Sequence, residues 1–489
     1  MPVKNKKLLS LGLIVVLFLG ITPYFVGNMA RGNIEKQAAL LSQIPGYTLK
    51  IHAYDQGWFT SHVAISYGFD EHTLNILKDS KDVDQNFFDL LNRGLTLDLT
   101  VAHGPVTFQN GLNFALLTLS GKLQDIDNEA YREFKAKTKI DSLAKTFVSV
   151  SYGGTTSIKA HSPSFKADYT AISGKKLIIH SAGMEMQATI NAALDEYDAD
   201  MHMDELSMEI DDSTIVLNKM NIRTSGFRIN DYIWSGKGST SIGKFSIISP
   251  KDLSFSLRNL NTDYNFSRES DAALAFHGTF NVKTINANKT DLKDIQLSFD
   301  LKHLDIEALI DYVKSIKGAY QSQNEEIPTP EQTAANIQVI TTRVGQKLIK
   351  GSPELIVHNL NFLIGEGYFE SDGKMSINGK DLDNIELLSD PVTLNKRLAA
   401  TVKIKFNEAL ARALTTIGVE AQLAAGGVSV NSLPTEQLEQ MINVQTSAAL
   451  QTFIAQGYIQ LKDDVYSAHL HMKDGQGLIN GKPLPIPGL

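Results

Sequence analysis

The chain alternates. Leu95, Leu97, Leu99 and Val101 are separated by Thr96, Asp98 and Thr100. Met184, Met186, Ala188 and Ile190 follow the same rule, as do Tyr197, Ala199, Met201 and Met203 between Asp198, Asp200 and His202. Related runs occur at Phe245–Ile247, Leu253–Leu257, Phe276–Val282 and Leu297–Leu301. A period of two puts successive side chains on opposite faces of a strand, so each run predicts a strand with one dry and one wet face. Such strands belong to antiparallel sheets. The expected fold from about residue 47 onward is mainly β, a β-rich α+β chain built as a long antiparallel meander.

Glycines punctuate it. A Gly-Lys pair preceded by Ser, Asn or Asp recurs at Ser120-Gly121-Lys122, Ser173-Gly174-Lys175, Ser235-Gly236-Lys237, Asp372-Gly373-Lys374, Asn378-Gly379-Lys380 and Asn480-Gly481-Lys482. Asn-Gly and Asp-Gly favour the positive φ of tight hairpins, so these sites are expected to be turns. Helical spacing interrupts the alternation. Leu304, Ile306, Leu309, Ile310, Val313 and Ile316 form an apolar stripe. Residues 331–350 follow Pro328 and Pro330 and predict a second helix. Leu410, Leu414 and Ile417 mark a short helix, and Leu438, Met441, Ile442, Ala449 and Phe453 a longer one. Strands resume at about 458–472 and 476–480, before a proline-rich tail.

One segment obeys neither period. Residues 8–27, LLSLGLIVVLFLGITPYFVG, carry no charge. As a helix they reach ~30 Å, the thickness of a bilayer's hydrocarbon core. Lys4, Lys6 and Lys7 precede them, while Arg31, Glu35 and Lys36 nearly balance beyond. The basic bias orients the N-terminus to the cytoplasm. A cleaved signal peptide is the rival, but the run exceeds an ordinary signal core of roughly 7–15 residues and lacks a good small-x-small site. The expected organisation is a cytoplasmic stub (1–7), a transmembrane signal anchor (8–27), a periplasmic β-rich region (28–320), a linker or helix-hairpin loop (321–332) and an α+β region (333–489).

Composition narrows the chemistry. The chain has 489 residues, 43% of them hydrophobic and 20% charged, enough for a sizeable core. Its net charge of −8 argues against nucleic acid as a partner. The absence of cysteine excludes disulfides, thiolate metal sites and a Cys nucleophile. Seven Gly-Lys pairs occur, none followed by Ser or Thr as a phosphate-binding P-loop requires. Asp125–Asn128 and Asp82–Asp84 lack the glycine of a calcium loop. Glu196, Asp198, Asp200, His202 and Asp204 share one strand face; their spacing suits a hard cation, but a wet sheet face explains it more simply. The same holds for His469 and His471. His103-Gly104-Pro105 reads as a structural turn, with glycine in an unusual φ, rather than as an exposed general base. Gly57-Trp58-Phe59 reads as a turn that buries two aromatics, the alternative being contact with a bilayer or a partner.

Several of these segments, in order, resemble the bacterial family typified by YdgA and YihF. Gly57, Trp58, Phe59 and Ser61 fall in Asp55-Gln56-Gly57-Trp58-Phe59-Thr60-Ser61, similar to that family's Gly-x-Phe-Ser-Ser turn, with Thr60 for the first Ser. His103, Gly104 and Pro105 resemble its His-Gly-Pro. Gly351 and Pro353, within Lys350-Gly351-Ser352-Pro353, resemble its Gly-Asp-Pro, with Ser352 for Asp. Asn480 and Gly481, within Gly475–Lys482, resemble its closing hairpin. The resemblance implies an inner-membrane-anchored periplasmic protein and no defined activity. No catalytic, cofactor or metal residue is assigned. The leading expectation is a non-catalytic envelope scaffold that binds lipid or another apolar ligand. Its alternatives are a homo-oligomeric adaptor for envelope proteins and, further off, a periplasmic hydrolase.

Overall fold

A computed structural model describes residues 22–36, 38, 46–71, 73–74, 88, 91–125, 129–170, 176–210, 212–249, 254–287, 290–320, 330–382, 384–428 and 433–484. The chain divides into two compact units. One is Met1–Asp211 with Lys219–Trp234 and Tyr312–Ile340; the other is Asp212–Asn218 with Ser235–Asp311 and Thr341–Leu489.

The first unit contains β1 (Tyr47–Gln56), β2 (Thr60–Phe69), β3 (Leu95–His103), β4 (Val106–Thr107), β5 (Asn113–Phe114), β6 (Leu117–Leu123), β7 (Lys145–Val150), β8 (Thr156–Ser162), β9 (Phe165–Thr170), β10 (Lys176–Ser181), β11 (Met184–Ile190) and β12 (Glu196–Ile210). Pairing runs β1–β2–β3–β6–β7–β8–β11–β12, antiparallel at every step. The meander survives an apparent break. β12 pairs with β11 through Tyr197–Met203 and with β10 through Leu206–Ile210. Thus β8–β9 and β10–β11 are two long strands interrupted near Pro163 and Gly183, the latter with φ of 99°. β4 and β5 form a separate hairpin between β3 and β6. β13 (Ser213–Arg228) contributes residues to both units.

Helical segment 22–36 shows why one face of this sheet is dry. Val26 and Ala30 lie on one side of the helix and are almost fully buried. They pack on Val63, Leu99, Val101 and Leu117, of which Leu99 and Val101 are apolar positions of the first alternating run. Burial of one such side chain is worth ~1.5–3 kcal/mol. A second helix, Glu129–Thr138, sets Tyr131 and Phe134 against Ala167 and Phe165.

The second unit holds β14 (Trp234–Ile248), β15 (Phe255–Arg268), β16 (Ala273–Ala287), β17 (Thr290–Asp305), β18 (Glu354–Ile364), β19 (Gly367–Ile377), β20 (Leu398–Phe406), β21 (Gln460–Lys462), β22 (Val465–Lys473), β23 (Gln476–Ile479) and β24 (Lys482–Pro483). Pairing runs β14 through β20 in order, then β22, β23 and β24, antiparallel throughout. Helices Glu408–Ala425 and Thr435–Gln456 pack together, and the first lies on β18 and β19. Leu450 of the second closes a core with Ile459, Tyr466 and Phe406. The expected helices at 331–350, 410–417 and 438–453 all form, each longer than its stripe. Leu304 is an exception, lying inside β17, which ends at Asp305, rather than starting the helix Ile306–Tyr320.

The expectation that every Gly-Lys pair marks a turn is corrected. Gly121, Gly236 and Gly373 lie inside β6, β14 and β19. A Cβ on Gly121 would collide with the Asp98 carbonyl of β3, and one on Gly373 would come within 2.8 Å of the Thr401 oxygen. Glycine serves there for close strand approach, not for a reversal. Asn480-Gly481, with φ of 50° and 79°, is the genuine tight turn of the set. Residues 173–175 lie outside the described residues.

Candidate functional site

The turn between β1 and β2 puts Gly57, Trp58, Phe59 and Ser61 beside the end of β3. Gly57 N–H donates to the Thr60 carbonyl at 2.8 Å, closing the turn. The His103 N–H donates to the Phe59 carbonyl at 2.8 Å, and Gly104 N–H to that of Leu116 at 2.7 Å. His103 is 2% exposed. Its Nδ1 lies 3.1 Å from the Trp58 carbonyl and its Nε2 2.9 Å from the hydroxyl of fully buried Ser61. A carbonyl can only accept, so Nδ1 carries the proton and Nε2 accepts from Ser61. Burial holds the imidazole below its ordinary pKa, partly opposed by the Trp58 hydrogen bond.

Helical segment 22–36 roofs this node. A Cβ on Gly27 would sit 2.5 Å from His103 Cε1, so the helix approaches the ring only where it has no side chain. The Tyr54 hydroxyl donates to the Gly27 carbonyl at 3.3 Å. The Ser–His pair is therefore sealed, and it ties β2, β3 and the turn together. Gly104 and Pro105 are joined by a cis peptide. The expected unusual φ at Gly104 is not found. Glycine is required because a Cβ would collide with the carbonyls of Ala115 and Leu116.

The expected burial of the two aromatics is also corrected. Trp58 is 52% exposed and Phe59 58%, because their main-chain groups, not their rings, bond inward. They stand in exposed apolar company. The Tyr24 ring lies tilted beside Trp58 with ring centroids 5.1 Å apart, and Phe25 follows on the helix. The β4–β5 hairpin pairs Val106 with Phe114 immediately after Pro105 and exposes Phe108, Leu112 and Phe114. Tyr152 reaches the Pro105 carbonyl with its hydroxyl and leaves its ring exposed. Beneath the hairpin, a cavity of 590 Å³ lies between Asn110, Asn113 and strand residues that include Phe147, Lys159, His161 and Met186. Its size lies within the ordinary range of ligand pockets.

The remaining motif residues gather in the second unit. Gly351 follows helix Pro330–Lys350, where a Cβ would lie 2.9 Å from the His303 carbonyl. The Ser352 hydroxyl accepts from Gly379 N–H at 3.2 Å, and the Pro353 carbonyl from Ile377 N–H at 3.3 Å. Asn480 is a knot: its side chain accepts from His469 N–H and donates to the Gly457 and Tyr458 carbonyls. These contacts hold turns and strand ends together.

The acidic face of β12 is wet. Glu196, Asp198, His202 and Asp204 are exposed, whereas Tyr197, Ala199, Met201 and Met203 are more covered. His202 pairs with Asn221 at 2.6 Å and Asp204 at 3.2 Å; the Asn221 bond, then the Asp204 charge, hold its pKa above the ordinary value against slight desolvation. His471 meets Thr401 at 3.3 Å, and no metal-ligating group of three includes His469 or His471 among the described residues. Asp125 bonds Lys135 at 2.5 Å. Residues 126–128 and 82–84 lie outside the described residues, as do 8–21 of the apolar run. Among the described residues, no helix is long and apolar enough to cross a membrane.

One cluster no spacing indicated is His277, Asp300 and His358, brought together from three strands. Their separations of 23 and 58 residues follow strand and insertion lengths, so no local pattern points to them.

A family model described as a bacterial protein of unknown function (DUF945) matches residues 5–487, and the chain belongs to that family. No curated protein and no solved structure matches.

Proposed function

We propose, from the premise of that family membership, that this protein is a membrane-tethered, non-catalytic β-sheet scaffold whose first unit rests on lipid. The uncharged run that begins at residue 8 anchors the chain in the bacterial inner membrane, with the N-terminus cytoplasmic and the bulk periplasmic, and its last residues, where Val26 and Gly27 pack on the sheet, lie at the outer interface. The observation that carries this reading is the set of exposed rings Tyr24, Phe25, Trp58 and Phe59 at the turn and the helix beside it, with Phe108 and Phe114 exposed on the hairpin that follows Pro105. The residues that precede this helix, 8–21, are uncharged. Aromatic rings beside an apolar span favour the bilayer interface, where the ring is partly dry and its polar tip wet. The cavity beneath the hairpin, with Lys159 and His161 near Phe147 and Met186, suits an amphipathic lipid more than a fully apolar one. The ordered motifs support the finer likeness to YdgA and YihF.

The chain has two tryptophans, so Trp234→Phe leaves Trp58 as the sole reporter. Reconstituted full-length protein is expected to show blue-shifted Trp58 emission quenched by brominated lipid near the headgroups. Phe108→Asp with Phe114→Asp should weaken that quenching. Water-like, unquenched emission in the parent would sink the reading.

A further inference from the structure

The wet face of the second unit carries a convergence of donor atoms separate from those exposed rings. His277 on β16 stands directly opposite Asp300 on β17. Its Nδ1 lies 2.7 Å from Asp300 Oδ1. His358 on β18 puts Nε2 2.9 Å from Asp300 Oδ2. One carboxylate thus holds two imidazoles, one on each oxygen. Asp300 is the most enclosed member, its side chain 18% exposed, while both rings stay about half open.

The backbone reaches this arrangement by an irregularity. Ser298 pairs with Asn359 and Phe299 with Val357, so His358 has no partner on β17. The ladder to β19 skips at the same place, between Val357 and Leu360. A bulge lets its extra residue aim away from the regular row, and bulges of this kind recur beside functional sites. Here it allows His358 to approach Asp300, whose direct neighbour on β18 is Ile356.

We infer that His277, Asp300 and His358 form a binding site for a first-row divalent transition metal, zinc foremost. One donor atom from each residue lies within 4.8 Å of the others. Donors around tetrahedral zinc, at ~2.0–2.1 Å from the ion, stand ~3.4 Å apart. The hydrogen-bonded contacts would open slightly and the two imidazoles would draw together, motions that half-exposed rings allow. Two imidazoles and one carboxylate suit zinc, copper, nickel or ferrous iron. They do not suit calcium, which takes six to eight oxygens, or magnesium, which demands octahedral oxygen. All three donors come from one sheet face, so the outward side is left for water or a further ligand.

The test uses untagged full-length protein in detergent, stripped with chelator and dialysed against zinc or cobalt. About one equivalent per chain is expected, with cobalt giving visible bands of a low-coordinate nitrogen and oxygen site. His358→Ala and Asp300→Asn should each weaken binding about tenfold or more. His277→Gln, which keeps a hydrogen-bonding side chain, should do the same in protein whose thermal unfolding is unchanged. His202→Ala and His469→Ala should leave binding intact. Absence of stoichiometric metal in the parent overturns the inference. So does metal that survives the His277→Gln, His358→Ala double variant.

Discussion

The first unit keeps a histidine inside and the second leaves two on a wet sheet face. His103 is enclosed, bonded on one side to a carbonyl and on the other to a hydroxyl. Neither partner carries charge, so the Trp58 bond only partly offsets the cost of burying an imidazolium, and the pKa of the ring is lowered. His277 and His358 face a carboxylate instead. Desolvation, the largest single influence, pushes Asp300 up, but the hydrogen bonds and charge interactions of the two imidazoles together leave its pKa lowered. The same residue type is a rigid joint in one place and a pair of available nitrogens in the other. What separates them is access to water and the charge of the partner.

Gly104→Val offers the largest break in the comparison. The new side chain meets the Ala115 and Leu116 carbonyls, which cannot shift without parting β3 from β6. A loss of roughly 3 kcal/mol is expected in denaturant unfolding; a near-neutral result would show that the node is not tightly packed. His103→Leu comes next. It removes the imidazole's bonds to the buried Ser61 hydroxyl and to the Trp58 carbonyl, costing about 2 kcal/mol. The parent carries a pH signature that this variant should lose. The folded pKa is depressed, so between it and the ordinary 6.5 the unfolded chain binds the proton that the buried ring does not. Stability is therefore full above 6.5 and falls as pH drops below it. Thermal unfolding on either side of that value should show the slope, flattened in His103→Leu.

Asp300→Asn is expected to cost less than about 1 kcal/mol, since both partner rings are half exposed and water screens the contacts. Its folded pKa is lowered, so the contribution is present above the ordinary 3.8 and fades as pH falls past it. Its sharper effect should be spectroscopic, with the ring resonances of His277 and His358 moving together in the variant. Asp198→Ser should be the smallest, within about 0.5 kcal/mol, because that side chain lies on the wet face of β12. A larger loss there would mean that the acidic face holds more than water.

Much of the architecture was legible because it is repetitive. Period-two runs such as Leu95–Val101 state which face is dry, and the helical stripes at 331–350 and 438–453 state where the sheet is interrupted. The motif residues Gly57–Ser61 and His103–Pro105 stand out in the sequence as two separate segments; that they meet at one node is visible only in the fold. Trp58 and Phe59 looked like core because aromatics usually are. Their exposure follows from a turn whose hydrogen bonds point its main chain inward. Gly121 and Gly373 looked like turn residues because glycine before lysine cannot reveal whether a neighbouring strand lies within reach.

Sequence alone therefore determined the elements, their alternation and the uncharged N-terminal run, since each depends on residues close together along the chain. Only tertiary structure decided which histidine is sealed and which are open. It also decided that three residues spread from 277 to 358 meet around one carboxylate. Register and a single bulge set those meetings, and both depend on hydrogen bonds between strands that no local pattern encodes.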